Sequence, residues 1–413
     1  MIKKYSILAL ISGLSMAGIS QTKDLGYYLN EGLKNSPLLN DLKNQLHSAS
    51  LDSLIIKAQR KPLVEGKSEL LYTPYNDHFG YDEAITNGGN YQVVASVSQN
   101  IFNRKIIENK YQEVSNQKQS IGISRKLTTA ELKKTITELY LESYSAFSEL
   151  LFSRSFLALL KNEDKIVNHF VADGIYSQTD YISLLVETEG QEVIVTQLKN
   201  QYVSDIMLLN EACGIIDTSF IELSKPILEP ALGKASSKYL FQRPFEIDSL
   251  QIINKKNTLG LRYRPTISWY ADAGLLTSDP SNFYNHFGTS AGISLSIPIY
   301  DGRQRAIEEQ KLSVRENTRY FYDQSTRKMY DQAYLRLKGE LDGMKEVKNN
   351  LEKQFGLADQ LVRSLKPQLE AGIVKMTDYL TAIKTFRSVR HSLNMTEIQI
   401  LSLINEMNYI LAE

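Results

Sequence analysis

The sequence predicts a mainly α protein with a small β part: long coiled-coil helical hairpins plus four antiparallel strands per chain, laid out twice. Three observations predict it. The octapeptide Gly174-Ile175-Tyr176-Ser177-Gln178-Thr179-Asp180-Tyr181 returns as Gly372-Ile373-Val374-Lys375-Met376-Thr377-Asp378-Tyr379, with glycine, isoleucine, threonine, aspartate and tyrosine at matching places. The triplet Ile101-Phe102-Asn103 returns as Ile299-Tyr300-Asp301 at the same offset of 198 residues. Long stretches poor in proline, each with a narrow apolar stripe, precede both octapeptides. A period this long is too large for a solenoid and reads as a duplicated half-chain.

The chain has 413 residues, with 47 basic and 47 acidic side chains. A net charge of zero points to no nucleic-acid partner and no broad basic membrane patch. The single cysteine, Cys213, cannot form an internal disulfide, and no Cys/His spacing suggests zinc. At the N-terminus Lys3 and Lys4 precede the apolar run Ile7 to Ile19, and Gly18-Ile19-Ser20 forms a small-residue cleavage site before Gln21. Residues 1–20 therefore read as a secretory signal peptide. The run is too short for a membrane anchor, and no cysteine follows it to carry a lipid. Any crossing of a membrane by the exported chain must then be made by strands.

In order, a helix is expected from Asp24 to about Gln59, broken at Asn35-Ser36-Pro37 and ended by Pro62. A weakly alternating strand follows from Val64 to Tyr72. Asn90 to Phe102 alternates more clearly, with Tyr91, Val93, Ala95, Val97 and Ile101 on one face and Gln92, Ser96, Ser98 and Asn100 on the other. Arg104 to Ala172 contains no proline and reads as one helix, about 100 Å long at 1.5 Å per residue. Asp173-Gly174 breaks it, and a returning helix runs from about Thr179 to Cys213. Residues 21–213 thus form a first structural repeat, and 214–241 an irregular connector with Pro226, Pro230 and Gly233.

Residues 242–413 repeat the plan. A short helix covers Pro244 to about Leu259. One strand opens at Pro265 and places Ile267, Trp269, Ala271, Ala273 and Leu275 on its apolar face. The next places Ala291, Ile293, Leu295, Ile297 and Ile299 on one face, and Ser290, Ser294 and Ser296 on the other. A long helix starts at Arg303, with an apolar stripe from Tyr330 to Leu369 and a kink expected at Pro367. The last helix runs from about Thr377.

Strands with one apolar face and one face of serine and glycine suit either a sandwich or an outer-membrane barrel. Four strands cannot close a barrel, and three chains would bring twelve. The amphipathic helices likewise need more partners than one hairpin offers.

These features resemble the TolC family of outer-membrane efflux channels over nearly the whole mature sequence. The resemblance rests on the opening stretch through Asn35-Ser36-Pro37, on Arg262-Tyr263-Arg264-Pro265-Thr266-Ile267, on the strand-to-helix junction Ile293 to Arg303, and on the paired turns. It implies a homotrimer with a 12-stranded transmembrane β-barrel on a periplasmic α-barrel, in the outer membrane of a Gram-negative bacterium. It implies a passive exit duct for efflux or type I secretion, with outer-membrane lipid, a periplasmic adaptor protein and an inner-membrane transporter as partners. Gly174, Ile175, Gly372 and Ile373 match the family's adaptor docking site, and Thr179, Asp180, Thr377 and Asp378 its periplasmic entrance. Two readings of the entrance residues stay open: helix caps, or rings of carboxylates that favour cations. Where the family places an arginine after the second glycine, this chain has Val374, followed by Lys375.

No catalytic constellation is visible. The five histidines lie far apart, and no phosphate-binding glycine loop occurs, so neither enzyme activity nor a cofactor or metal is expected. The rival reading is a periplasmic coiled-coil scaffold or adaptor that never spans a membrane.

Overall fold

The computed structural model describes residues 22–74, 76, 78–82, 87–101, 104–231 and 239–412. The expected signal segment, together with Phe102 and Asn103 of the first junction, lies outside them. The elements run α1 (Leu25–Asn35), α2 (Pro37–Ala58), β1 (Leu63–Tyr72), β2 (Gly89–Ile101), α3 (Arg104–Ala172), α4 (Gln178–Cys213), α5 (Arg243–Arg262), β3 (Thr266–Thr277), β4 (Phe287–Ser296), α6 (Gln304–Glu370) and α7 (Met376–Ile410). Short 3₁₀ turns occupy Leu240–Gln242 and Pro280–Asn285.

Local chemistry sets the boundaries. The Asp24 carboxylate accepts the Tyr27 N–H at 2.8 Å and caps α1. Ser36 is extended, as a residue before proline must be, and Pro37 then opens α2 where its missing N–H is not needed. Asp301 accepts the N–H groups of Arg303 and Arg305, both at 2.9 Å, and starts α6. α6 continues through Pro367 to Glu370.

The four strands form one antiparallel sheet in the order β1-β2-β3-β4. The β2–β3 pairing joins the two halves of the chain. The register puts like faces together: Val97 opposes Val64 and Ala271, Ala271 opposes Ala291, and Trp269 opposes Ile293. Tyr91, Val93, Leu275, Ile267 and Leu295 lie on this same face, which is apolar across all four strands. Glu65, Ser96, Asp272 and Ser290 are direct cross-strand partners on the other face, which is polar. The Trp269 indole N–H donates to Gln99 Oε1 at 3.2 Å, which satisfies the one polar group of the largest side chain on the apolar face. That face is uncovered, and Ile293 is 79% exposed. The outer edges of β1 and β4 have no strand partner among the described residues.

One expectation is corrected. β4 ends at Ser296, so Ile297 and Ile299 lie beyond the strand rather than on its apolar face. Ser296 pairs with Thr266, the first residue of β3. Past that point Pro298 and Pro265 supply no N–H groups, so the ladder stops on both strands.

The chain divides into two compact units that cut across the sequence repeats. The first holds the described residues among 1–36, 131–232 and 335–409. Its core includes Tyr28 of α1, Ile136, Tyr140 and Leu150 of α3, and Tyr202 and Leu209 of α4. The Tyr202 hydroxyl donates to the Ile221 carbonyl and the Tyr140 hydroxyl to that of Ser224 at 2.7 Å, which straps the connector to this core. The second unit holds the described residues among 37–130, 233–334 and 410–413, including the sheet. There Ile56 of α2 packs on Ile107 and Val114 of α3. No described helix is long and apolar enough to cross a membrane.

At Gly274 a Cβ would lie 2.2 Å from the Val93 carbonyl oxygen on β2, while at Gly66 it would meet nothing within 4 Å. Gly274→Val is therefore expected to destabilise the join between the halves by about 1–3 kcal/mol, the usual cost of overpacking. Gly66→Val should change little. Thermal loss of the β circular-dichroism signal in detergent checks the contrast; equal shifts would contradict it.

Candidate functional site at the hairpin tips

Both octapeptides form the tip of a helical hairpin. α3 ends in a Schellman motif: the Ile175 N–H donates to the Phe170 carbonyl at 2.9 Å and the Gly174 N–H to that of Val171 at 3.1 Å. α6 ends the same way, with Ile373 to Gln368 at 2.9 Å and Gly372 to Leu369 at 3.0 Å. Gly174 and Gly372 have φ of +73° and +71°, so each glycine is explained by the left-handed turn.

The isoleucines differ. A Cβ on Gly372 would lie 2.5 Å from Ile175 Cγ2, so Ile175 sits directly on the second tip's glycine. Nothing lies within 4 Å of the corresponding position on Gly174. Ile175 is 48% exposed and Ile373 is 76% exposed. The tips are also bound by Tyr176, which is buried. Its hydroxyl lies 3.1 Å from the Leu369 carbonyl and 2.9 Å from that of Val374, and shares its proton between them. Burial, aided by the Asp180 charge, raises the Tyr176 phenol above the ordinary tyrosine range.

The acidic residues differ too. Asp180 closes a capping box at the start of α4: Ser177 Oγ accepts the Asp180 N–H at 3.2 Å, and Asp180 Oδ2 accepts the Ser177 N–H at 3.1 Å. The cap is thus Ser177, not Thr179, which lies exposed in the first turn. In the second repeat Lys375 takes the place of Ser177 and cannot cap. Thr377 and Asp378 are exposed at the start of α7.

Beneath the tips, Leu160 and Val167 of α3, Leu184 of α4, Leu369 of α6 and Ile383 of α7 form a core around the fully buried Tyr379. Glu163 of α3 is also fully buried and accepts from Lys366 of α6 at 2.7 Å. That hydrogen bond raises Lys366 above the usual lysine range. Burial raises the Tyr379 phenol strongly, with the nearby Glu163 charge adding to the rise. Further contacts join the hairpins: Lys384 pairs with Glu187 at 3.0 Å, and His391 Nδ1 lies 3.2 Å from Glu149 Oε1. In each of these the carboxylate belongs to the first hairpin and the basic side chain to the second. Neither Tyr176 nor Glu163 stood out in the sequence. The only signal was the failed repeat, Val374 at the place of Tyr176. No group of three or more His, Cys, Asp or Glu suited to a metal occurs among the described residues.

No family model matches this chain, and no curated protein matches it by sequence. Solved structures do match. The outer membrane protein VceC of Vibrio cholerae shares 12% identity over 94% of this chain and 96% of that chain, with a TM-score of 0.75. The CmeC outer membrane channel of Campylobacter jejuni shares 10% identity over 94% and 85%, at 0.74. The open state of the MtrE outer membrane channel of Neisseria gonorrhoeae shares 13% over 94% and 88%, at 0.71. The chain has the fold of these outer-membrane channels. The resemblance to TolC-family channels carried by the sequence motifs therefore extends to the fold, with its long helices and four-stranded antiparallel sheet. In this channel fold the two tips are unequal: the first is tied down, and the second presents Ile373, Lys375 and Asp378 to solvent.

Alanine at either tip glycine forces a side chain into the left-handed region, at about 1–2 kcal/mol. Gly372→Ala must in addition displace Ile175. It should lower the thermal unfolding temperature more than Gly174→Ala, and Ile175→Ala should restore most of the difference. Lys375→Ser installs the missing cap and should stabilise by about 1 kcal/mol. A decrease in melting temperature would show that Lys375 holds the tip in another way.

Proposed function

We propose that the protein is a homotrimeric outer-membrane exit duct, passive in itself and serving a tripartite efflux or type I secretion system. One observation carries the reading: an apolar sheet face, continuous over four strands and uncovered, with both edges unpaired. Such a sheet suits lipid on one side and a closed barrel around a polar lumen. Three copies supply twelve strands, the plan that the likeness to outer-membrane channels supports. The long helices then form a periplasmic α-barrel, and residues 1–20 direct export. A periplasmic adaptor docks at Gly174, Ile175, Gly372 and Ile373, and couples the duct to an inner-membrane transporter. Thr179, Asp180, Thr377 and Asp378 line the entrance. No catalytic role is assigned. The rival scaffold reading gives no reason for an uncovered apolar sheet face.

Heat-modifiable, detergent-resistant trimers in the outer-membrane fraction are expected, and a soluble periplasmic monomer would sink the proposal. In cysteine variants, a water-soluble thiol reagent should label position 294 and spare 293, since Ser294 faces the lumen and Ile293 the lipid. The reverse pattern would place a protein core against Ile293.

The Asp378 carboxylate is exposed and has no hydrogen-bond or ion-pair partner among the described residues, whereas Asp180 is held in its cap. In planar bilayers Asp378→Asn should lower cation preference and weaken divalent-cation block without loss of trimer stability. Asp180→Asn should mainly affect stability. Unchanged selectivity in Asp378→Asn would place the selective constriction elsewhere.

A further inference from the structure

The two ends of the sheet differ in charge. Between Thr73 and Asn103, and between Pro265 and Gly302, the sequence has no lysine or arginine; Asp82 and Asp279 lie in the strand-to-strand loops, and Asp301 lies at the junction of β4 with α6. The antiparallel order puts all four strand-to-helix junctions at the opposite end. Every junction there carries two basic residues: Arg60 and Lys61 before β1, Arg104 and Lys105 after β2, Arg262 and Arg264 before β3, Arg303 and Arg305 after β4. All are exposed.

Three of them are matched by carboxylates: Arg104 by Glu108 at 2.6 Å, Arg262 by Glu308 at 3.2 Å and Arg305 by Glu309 at 3.0 Å. The side chains of Arg60, Lys61, Arg264 and Arg303 form no ion pair with a carboxylate among the described residues, although Asp301 accepts the Arg303 backbone N–H. Arg60 and Arg104 line one groove of about 560 Å³ together with Gln99, Asn100, Tyr111 and Glu108, the carboxylate paired with Arg104. Gln99 donates to the Arg60 carbonyl at 2.7 Å and fixes that turn against β2.

We propose that this end of the sheet is a collar for anionic phospholipid, in which the exposed cations hold lipid phosphates at the boundary of the apolar face. The inference rests on the membrane-spanning reading above. Guanidinium groups match phosphate oxygens in pairs, and cations beside a membrane surface attract anionic headgroups. A lipid, rather than a free anion, fits because the collar is continuous with the apolar face: exposed Val64 follows Arg60 and Lys61, and exposed Leu295 precedes Arg303. The loop end, without a cation, gives such headgroups no hold, so the charge difference also orients the sheet.

The test uses the full chain, purified in detergent and stripped of lipid. Phosphatidylglycerol and phosphatidylethanolamine are added in equal amounts, and bound lipid is counted by native mass spectrometry. Wild type should retain phosphatidylglycerol several-fold over phosphatidylethanolamine, with the preference falling as salt rises. The combined variant Arg60→Gln, Lys61→Gln, Arg264→Gln, Arg303→Gln should lose the preference while still forming conducting trimers. Equal retention of both lipids by wild type, or a preference untouched by salt, overturns the collar whatever the variant does. Displacement of the lipid by millimolar inorganic phosphate would overturn it in favour of a free-anion site. A wild type that conducts but shows no lipid preference sinks the collar alone, and one that forms neither trimers nor channels sinks the membrane-spanning reading and the collar with it.

Discussion

Unmet backbone hydrogen bonding along β1 and β4 is the constraint on which the rest of this structure depends. Each edge presents a row of N–H and C=O groups beside a face that is apolar across four strands. In water such an edge is usually blunted by charge, proline or a bulge. Here Glu65, Lys67 and Glu69 of β1 lie on the polar face, so the apolar side of that edge carries no charge. In hydrocarbon an open edge is not tolerated at all. Under the proposed function, closure by further copies would answer both problems, pairing the edges and leaving the apolar face for lipid. The helices pose the same question with side chains: apolar residues such as Val186, Leu335 and Leu357 remain exposed.

The two hairpin tips share one backbone design and differ in their side chains. Both tips need glycine for the left-handed turn. In the first, the Tyr176 hydroxyl reaches the carbonyls of the second tip, and Ser177 ties up Asp180. The second has the exposed Ile373, and Lys375 where the cap would be. The result is a pair in which one member anchors the other. The anchoring continues below the tips, where Glu163, Glu187 and Glu149 of the first hairpin each face a basic side chain of the second. A buried carboxylate such as Glu163 is a weak source of net stability but a strong constraint on where its partner sits.

Charge shows a similar division at the sheet. The chain is neutral as a whole, and the overall balance argues against a broad basic patch. Folding nevertheless gathers the basic residues of four separate junctions at one end of the sheet, because an up-and-down order returns every second strand end to the same side. Net charge is a sum over the chain and cannot register such sorting.

The sequence by itself determined the elements and the faces they show. α3 spans Arg104 to Ala172 as its unbroken stripe requires, and the alternation of β2, β3 and β4 predicted which side chains share a face. Helix and strand periodicity involve neighbours within a few positions, so they are legible without a fold. The end of β4 was less so, because it depends on a proline in its partner strand as well as its own. Only the tertiary structure decided the pairing of β2 with β3, the seat of Ile175 on Gly372, the reach of Tyr176 and the burial of Glu163. Each of these joins residues far apart in the chain. No local pattern marks them, since they arise where two independently formed hairpins or strands come within packing distance.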